Sequence, residues 1–599
     1  MSCGLLMLAL VGCGGGGGGG NKTRQSSAAV PEPPRRVRAS EQNGNIFLEW
    51  KQSADATSYN VYGDLVPNVG RDPDKLIGNV VERSATIQGP KSGTVFLTVT
   101  AVNDGGESEP SREVSVTLGG GLSDPLLGEQ WHLRNDGQSG GVPGEDVHAI
   151  PVWQQGITGG GVRIAVVDDG VEIAHEDLAQ NVAANLSFNY VNGSSDPTGG
   201  AHGTCCAGVA AAVGNNPFGG RGAAFEASIV GYNLLQALTS DNVVDAMTRN
   251  VRDVSISTNS WGSPDGLGIP QPSESSWKQA VISGLNEGRG GLGTVYLWAA
   301  GNGAQSPDGF TTDNSNLDGQ ANFFGVIAVA AVGDDGVRAF YSEQGANLWI
   351  SAPSQGNNSH AITTVDRTGE LGFNTGSNPN DFRDLGYTNT FNGTSSATPL
   401  VAGVVALMLQ ANPALTARDA RMILALSARQ NDPTDGDWTR NAAGHLVNHK
   451  YGFGVVDAEA AVAMARNWPG LAPLKIVTTD VFQPNLPIPD NDATGVSFEV
   501  KIGAGQLEHI EFVTILFDAD DHTFGGDLLI ELTSPSGTTS ILAEPHAMPQ
   551  GSVPYDDFLF GSARHLDESA AGIWTITVRD LAALDTGTFK TCALEFIGR

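Results

Sequence analysis

The stretch Val162-Arg-Ile-Ala-Val-Val-Asp-Asp-Gly170 decides the fold of the central part of this chain. Its first six residues are apolar except for one arginine, which is typical of a buried strand, and an aspartate pair follows at the strand end. Comparable apolar runs occur from Val295 to Ala300 and from Val326 to Val332, and a strongly apolar helix is predicted from Pro399 to Gln410. Because strands alternate with helical patterns, we predict an α/β domain with a parallel sheet over residues 122–468.

Both flanks of this domain have the pattern of β-sandwiches. Residues 37–118 contain short alternating segments, such as Ile46 to Trp50 and Val95 to Val102, which are separated by stretches rich in turn residues. Residues 473–599 return to the same character, for example from Phe512 to Phe517. A chain of 599 residues exceeds the size at which single cores stop growing, so we predict a multidomain protein.

The N-terminal residues have the features of a targeting segment. An apolar run from Leu5 ends in Leu10-Val-Gly-Cys13, which resembles the lipobox of bacterial lipoprotein signal peptides, where the cysteine is lipidated. We predict a signal peptide at residues 1–13 with lipidation of Cys13, and a plain secretory signal is the alternative. A flexible tether rich in glycine and proline is predicted at residues 14–36. The expected location is outside a bacterial cytoplasm, in the periplasm, at the cell surface, on the outer membrane or secreted.

Composition argues against several classes of function. Acidic residues outnumber basic residues 65 to 33, which gives a formal net charge of -32. The phosphates of nucleic acid would be repelled by such a chain, whereas a basic polypeptide would be attracted. The five cysteines form no CxxC pair or Cys/His cluster of the zinc-binding kind, and beyond residue 13 no apolar run has bilayer length. We therefore predict polypeptide partners and no nucleic acid, with the oligomeric state left open.

Three short motifs carry the residue types of nucleophilic catalysis. Asp168 ends the predicted strand, His202 opens a His-Gly-Thr motif before an alanine-rich helix, and Ser395 lies in Gly393-Thr-Ser-Ser-Ala-Thr-Pro399 at a helix start. Serine is a poor nucleophile at its free pKa, so it needs a neighbouring base, an orienting carboxylate and donors for the oxyanion. Each motif alone is weak, because such segments are usually turns or caps. Together they predict an active serine protease.

The order Asp, His, Ser resembles that of the subtilases, and further motifs resemble the kexin/furin branch of that family. The resemblance covers residues 122–465 almost continuously and includes Asp168-Asp169, Trp131-His-Leu133, Gly288-Arg-Gly-Gly-Leu-Gly293 and Tyr451-Gly-Phe-Gly-Val-Val-Asp-Ala458. Residues 473–599, with Asp520-Asp-His-Thr-Phe-Gly-Gly-Asp-Leu528, resemble the P domain of the family. Residues 37–118 resemble a fibronectin type III module. The resemblance implies that Asn302, in Ala299-Ala-Gly-Asn302, belongs to the oxyanion hole.

The resemblance also implies a substrate preference. In the kexin family the residue before the scissile bond is Arg or Lys, held by buried carboxylates. Asp265 and Asp318 match those acids, with Asp308 as a competitor, and Asp169 would face the next basic residue upstream. The acids that usually precede the catalytic histidine are glycines here, so we expect a relaxed dibasic preference. The expected substrate-binding residues are Asp169, Asp265, Asp318, Ser260, Trp261 and Gly262.

About two Ca²⁺ sites follow from the same resemblance, because oxygen ligands stand at the family's positions. The first site would use the side chains of Asp124, Asp177 and Asn216 and the carbonyls of Val213, Phe218 and Gly220. The second site would use the side chains of Asp265, Asp313 and Glu343. Taken one at a time, each aspartate is better explained as a loop or capping residue, and only the set favours calcium.

Two other functions are weighed against a protease that cleaves after basic residues. A broad nutritional subtilase is one alternative, and the carboxylates at Asp265 and Asp318 speak against it. A surface adhesion protein with an incidental protease domain is the other. The complete set of catalytic motifs argues against that protein class, because a binding scaffold has no need of them.

Overall fold

The computed structural model describes residues 9–10, 29–42, 45–67, 69–89, 93–118, 124–304, 313–357, 360–549, 551–552 and 554–599. The chain folds into two compact units, Met1–Ser123 with Gln154–Gly156, and Asp124–Trp153 with Ile157–Arg599. Cys13 and Asp308 lie outside the described residues. The tether at residues 14–36 is described only from residue 29 onward.

The first unit contains two antiparallel sheets around one core. The first sheet has the order β1-β6-β3-β2 and consists of β1 (Ala9–Leu10), β2 (Arg35–Gln42), β3 (Asn45–Lys51) and β6 (Ser84–Gln88). The second has the order β5-β4-β7-β8, with β9 also on β7, and consists of β4 (Ser58–Asp64), β5 (Leu76–Val80), β7 (Gly93–Asn103), β8 (Gly106–Glu107) and β9 (Val114–Leu118). Leu48 and Trp50 from the first sheet and Val61 and Val99 from the second share this core. The fibronectin type III interpretation of this β-rich unit stays a prediction.

A parallel sheet of six strands forms the centre of the second unit, in the order β11-β10-β12-β13-β14-β15. Its strands are β10 (Arg163–Val167), β11 (Ser228–Tyr232), β12 (Ile256–Asn259), β13 (Val295–Ala299), β14 (Ile327–Val332) and β15 (Ile350–Pro353). Nearly all of their side chains are buried, which explains why the strands read as continuous apolar runs. The prediction of an α/β fold with a parallel sheet is confirmed.

In the described part of the chain, seven α-helices accompany this sheet: α1 (Ile150–Trp153), α2 (His202–Ala211), α3 (Ser240–Thr248), α4 (Ser275–Glu287), α5 (Thr394–Ala411), α6 (Ala417–Ser427) and α7 (Ala458–Arg466). Two hairpins add β16 (Ile362–Val365) with β17 (Tyr387–Phe391), and β18 (Thr439–Arg440) with β19 (Leu446–Val447). Helix α5 is long and apolar enough to cross a membrane, but 89% of it is buried inside the protein, as expected of a core helix. It begins five residues before the predicted start at Pro399.

The C-terminal part is an antiparallel β-sandwich. One sheet has the order β20-β29-β23-β26 and contains β20 (Lys475–Thr478), β23 (Ile510–Asp518), β26 (Phe558–Ser562) and β29 (Thr591–Gly598). The other has the order β22-β27-β24-β25 and contains β22 (Val496–Ile502), β24 (Leu528–Thr533), β25 (Thr539–Ala543) and β27 (Gly572–Asp580). A separate pair joins β21 (Leu486–Ile488) to β28 (Gly587–Phe589). The core of this sandwich includes Leu317 and Ala346 from the α/β domain, so the two domains share buried apolar surface.

Candidate active site

Asp168 and His202 are brought together by the end of β10 and the start of α2. The buried strand delivers Asp168, which is 0% exposed, at its C-terminal end. His202 is the first residue of α2, and its Nδ1 lies 2.9 Å and 3.0 Å from the two carboxylate oxygens of Asp168. The carboxylate favours a proton on Nδ1, which leaves Nε2 as a base. Burial alone would lower the pKa of His202, but the charge of Asp168 raises it above 6.5.

Ser395 is the second residue of α5. Gly393, with φ at +80°, makes the turn into this helix in a conformation that glycine adopts at no steric cost. Pro399 has no backbone N–H to offer the carbonyl of Ser395. That carbonyl accepts instead from Ser260 Oγ at 3.0 Å and from Cys206 Sγ at 3.5 Å, and the Ser395 hydroxyl donates to the Ser260 carbonyl at 3.3 Å. The proline therefore helps to fix the serine at the helix N-terminus.

Ser395, His202 and Asn302 line one cavity of about 350 Å³. No hydrogen bond between Ser395 and His202 is present among the described residues, and such catalytic contacts often close only when substrate is bound. Asn302 Oδ1 accepts from the backbone N–H of Thr394 at 2.8 Å and from its hydroxyl at 3.0 Å, which orients the amide NH₂ away from Thr394. The NH₂ group donates to Asp265 Oδ2 at 3.4 Å and stands beside the N-terminus of α5, where an oxyanion would be stabilised. We call the cavity that Ser395, His202 and Asn302 share the aromatic cavity, because its other walls include Tyr341, Phe373 and Phe391.

A second cavity, of about 300 Å³, also opens at Ser395 and Asn302, and we call it the acidic cavity. Its described lining contains no lysine or arginine. Four carboxylates face it, those of Asp265, Asp313, Asp318 and Glu343. The predicted residues Ser260, Trp261 and Gly262 form part of its wall. A cavity with this charge beside a serine can attract a basic side chain.

Asp318 is fixed by backbone donors at the wall of the acidic cavity. One carboxylate oxygen accepts from Ser263 N–H at 2.9 Å, and the other accepts from Gln320 and Ala321 N–H at 2.7 Å and 3.2 Å. Burial raises the pKa of Asp318, which these donors oppose. A Cβ on Gly262 would come within 2.6 Å of the carboxylate, so only glycine keeps this approach open.

Asp169 is placed differently from Asp265 and Asp318. Its carboxylate oxygens accept from the backbone N–H groups of His202 and Gly203 at 3.3 Å and 2.8 Å, so it caps the start of α2. It does not line the acidic cavity among the described residues. The expected contact with an upstream basic residue would compete with this capping role.

The second predicted calcium site, which we call the Glu343 cluster, joins Asp265, Asp313 and Glu343. Backbone donors hold the three carboxylates: Asn302 N–H on Asp265 at 3.0 Å, Gly266 N–H on Asp313 at 2.9 Å and Gly303 N–H on Glu343 at 2.9 Å. Burial, and then the neighbouring carboxylates, raise the pKa of Glu343 well above its usual value, and burial raises that of Asp313 to about 6. Carboxylates are the ligands that Ca²⁺ takes, so the donor set matches the ion in its chemistry.

The first predicted calcium site, which we call the Asp177 cluster, contains both matching and competing features. Oδ2 of Asp177 is buried without a hydrogen-bond partner, and burial raises the pKa of this group to about 7. Asn216 Nδ2 donates to Asp177 Oδ1 at 2.7 Å and to the Val213 carbonyl at 3.0 Å, a geometry that an amide flip would convert into oxygen ligation. Phe218 and Gly220 belong to the same turn, where their carbonyls could contribute. Asp124, however, is paired with buried Arg221.

Cys206 lies behind the pair formed by Asp168 and His202. Its Sγ lies 3.7 Å from Asp168 Oδ2 and 3.9 Å from His202 Nδ1, and the residue is 0% exposed. Burial raises the pKa of the thiol to about 11. A thiol with this pKa is protonated at neutral pH, so it is a weak nucleophile there.

Comparisons with known proteins identify relatives for two parts of the chain. Residues 159–454 match the Subtilase family, and residues 513–596 match the Proprotein convertase P-domain. The PC3-like endoprotease variant B of Hydra vulgaris is 32% identical over 477 residues, which cover 76% of this chain. Human neuroendocrine convertase 2 is also 32% identical over 477 residues, which cover 76% of this chain and 70% of the convertase. The chain belongs to the subtilase family, with kexin/furin-like convertases as its relatives.

The crystal structure of a serine protease of Aeromonas sobria extends this subtilase likeness to three dimensions. It superposes with a TM-score of 0.73 at 30% identity and covers 80% of this chain and 96% of that protease. The chain spans less than two thirds of the Hydra endoprotease, namely 63% of its length.

The comparisons correct the predicted location. The curated relatives that match include eukaryotic convertases, from Hydra vulgaris and Homo sapiens among others, and this finding contradicts export from a bacterial cell. The prediction of a bacterial periplasmic, surface or outer-membrane location is therefore wrong. Lipidation of Cys13 belonged to the same interpretation and lies outside the described residues.

The P domain of this subtilase contacts the segment that carries Asp313 and Asp318. Within that segment, Asn316 Nδ2 donates to the Leu542 and Gly561 carbonyls of the P domain at 3.2 Å and 3.0 Å. Nearby, Asn314 Nδ2 donates to Glu544 at 2.8 Å. The carboxylates of the segment face the acidic cavity while its amide side chains hold the P domain.

Several residues of the site were missed by reasoning from the sequence. The Asp-Asn-Ser-Asn pattern at residues 313–316 could have signalled that the two asparagines have other partners than the aspartate, since neighbouring side chains can face opposite sides. Nothing local marks Arg221 as the partner of Asp124, from which it is separated by 97 residues. Phe373 likewise lies in an irregular stretch, where no periodic pattern predicts that it lines the aromatic cavity.

Proposed function

We propose that this subtilase is a serine endopeptidase that cleaves polypeptides after arginine or lysine. The observation that carries the proposal is the position of Ser395 between two cavities. One is lined by His202, which is paired with Asp168, and the other is lined by four carboxylates. A broad-specificity peptidase has no use for a dense negative charge at the serine. The net charge of -32 also favours basic polypeptides over acidic ones.

In the proposed reaction, Ser395 Oγ attacks the carbonyl carbon of the scissile bond and His202 Nε2 takes its proton. Asp168 holds the imidazole in the required tautomer and stabilises its positive charge. The Asn302 NH₂ group and the Ser395 N–H donate to the oxyanion, and the N-terminus of α5 adds a favourable dipole. His202 then protonates the leaving amine, and a water molecule releases the acyl group by the same route.

The acidic cavity would hold the basic side chain through Asp318 and Asp265. Because Asp169 caps α2, we expect weaker selection at the next residue upstream. The Glu343 cluster and the Asp177 cluster would each hold one Ca²⁺, which supplies positive charge to buried carboxylates. Calcium in the Glu343 cluster would leave Asp318 as the carboxylate most available to substrate.

The test uses two peptides that differ only in the residue before the cut, arginine in one and citrulline in the other. Citrulline has nearly the shape of arginine without its charge. We expect the wild type to prefer the arginine peptide, and Ser395→Ala to cleave neither while keeping the thermal unfolding profile of the wild type. Mass spectrometry of the products places the cut.

Equal cleavage of both peptides would contradict recognition of charge and would favour a broad subtilase. Cleavage that survives Ser395→Ala would remove the serine from its proposed role. Absence of cleavage of any peptide by the folded wild type would contradict the peptidase itself.

A further inference from the structure

The aromatic cavity has a composition unlike that of the acidic cavity. Among its described lining residues there is no Asp, Glu, Lys or Arg. The Phe391 ring lies 5.4 Å from the His202 ring, and the Phe373 ring lies 5.9 Å from that of Phe391. Phe373 is 49% exposed, so part of this apolar wall is open to solvent.

Tyr341 adds a ring rather than a polar group to this wall. Its hydroxyl oxygen lies 2.7 Å from Ser354 Oγ and accepts from the backbone N–H of Gly393 at 3.2 Å. The hydroxyl is therefore occupied behind the cavity. A side chain that enters from the serine would meet aromatic surface on several sides.

The mechanism decides which part of a substrate enters each cavity. His202 must deliver a proton to the leaving amine, so the residues after the scissile bond lie on the side of His202. Only the aromatic cavity contains both His202 and Ser395 among its described lining residues, whereas the acidic cavity contains Ser395 without His202. The acyl part of the substrate therefore points to the acidic cavity and the amine part to the aromatic one.

We propose that the aromatic cavity binds an aromatic or large aliphatic side chain at the first residue after the scissile bond. This inference rests on the proposed function and adds a second specificity element to it. A volume of about 350 Å³ admits such a side chain. The preferred cleavage sequence is then a basic residue followed by an apolar one.

Aminolysis tests the amine side of the site separately from the acyl side. An arginine ester first acylates Ser395, and phenylalanine amide or serine amide then competes with water for the acyl-enzyme. The amine nitrogen forms the new peptide bond, the ester bond to Ser395 breaks, and the amine proton returns through His202 to Ser395. Because the acyl group is the same throughout, the ratio of peptide to acid reports only on the amine.

We expect phenylalanine amide to be a better acceptor than serine amide by roughly ten- to a hundredfold, the factor that corresponds to burying one large apolar side chain. Phe373→Ser should lower this preference several-fold, and Phe373→Leu should retain most of it. Leu238→Ser is the control, because Leu238 is 56% exposed and does not line the cavity. Its preference should equal that of the wild type.

Equal use of the two amides by the wild type would overturn the proposal, as would a preference unchanged in Phe373→Ser. Hydrolysis of the ester in either case shows that the proposed serine chemistry is intact and that only the cavity was misassigned. An ester that is not hydrolysed with Ser395 dependence contradicts the proposed function itself.

Discussion

The negative charge of the two clusters of buried carboxylates in the catalytic domain is balanced in different ways. In the Asp177 cluster, Arg221 Nε donates to Asp124 Oδ2 at 2.6 Å, and the guanidinium lies over the rings of Trp153 and Phe225 at 5.2 Å and 4.7 Å from their centres. In the Glu343 cluster, the described hydrogen bonds and ion pairs include no lysine or arginine, and backbone N–H groups hold the carboxylates. The first cluster carries part of its own positive charge, and the second needs charge from outside.

This difference explains why net charge is a poor guide to calcium. Both clusters add carboxylates to an acidic composition, two in the Asp177 cluster and three in the Glu343 cluster, yet only the Glu343 cluster has no basic side chain bonded to it among the described residues. A bound ion and the basic side chain of a substrate would both bring charge to that side of the protein. We therefore expect calcium to act on stability and on substrate recognition mainly through the Glu343 cluster.

The largest expected effect comes from Arg221→Met. Methionine keeps much of the side-chain volume but leaves Asp124 buried without its partner, so we expect a loss of about 3–5 kcal/mol in the free energy of unfolding without calcium. Saturating calcium should restore part of this loss, because Asp124 becomes free to serve as a ligand. Denaturant unfolding on a Ser395→Ala background, which prevents self-digestion, measures both values.

The control for this variant is Arg163→Met. Arg163 is paired with Asp253 at the surface, with 42% of its side chain exposed, so its loss should cost under about 1 kcal/mol. If Arg221→Met were as stable as Arg163→Met in chelator, the Asp177 cluster would not depend on its internal cation, and the contrast between the clusters would fail.

Calcium removal should have the next largest effect, and Glu343→Gln should abolish most of it. At a calcium concentration of about a hundred times Kd, binding to the folded state adds about 2.7 kcal/mol of stability. In chelator the variant should be no less stable than the wild type, because it removes one of three carboxylates that repel each other. Calorimetry with calcium and with chelator provides the comparison.

Equal stabilisation of wild type and Glu343→Gln by calcium would place the ion elsewhere. A variant that is much less stable than the wild type in chelator would show that the carboxylate has a purely structural role. In that case the Glu343 cluster would be held by its backbone donors rather than by an ion.

The fold was predictable because its strongest signals are local. The buried strands β10, β13 and β14 read as apolar runs and agree with their predicted bounds within one residue. Helix α5 begins at Thr394 rather than at Pro399, because the Ser395 carbonyl that Pro399 leaves without an N–H donor is bonded by Ser260 Oγ and Cys206 Sγ instead. The order of the motifs also placed Asp168, His202 and Ser395 on elements that converge in the structure.

The rest of the site depends on contacts between distant parts of the chain. The capping of α2 by Asp169 could not be read from the aspartate pair, because the helix starts 33 residues later. The contact of Glu544 with Asn314 joins two domains across 230 residues. Local patterns carry no signal for either contact, since each joins residues that only the folded chain brings together.

The smallest expected effect is a pH dependence of substrate selection. Burial raises the pKa of Asp318 above its usual 3.8, so the group becomes neutral at a higher pH than a surface aspartate. Charge recognition is present above this pKa and is lost as pH falls through it. We expect the ratio of kcat/KM for the arginine and citrulline peptides to fall by roughly tenfold, about 1.4 kcal/mol, toward acid pH.

The ratio is informative because both peptides use the same His202, whose titration cancels. Asp318→Asn should show a low ratio that does not change with pH, and its turnover of the citrulline peptide shows whether the site has kept its shape. A ratio that stays constant in the wild type across the acid range would assign charge recognition to a group that remains ionised. Asp318 would then be left with the structural role that its three backbone donors already give it.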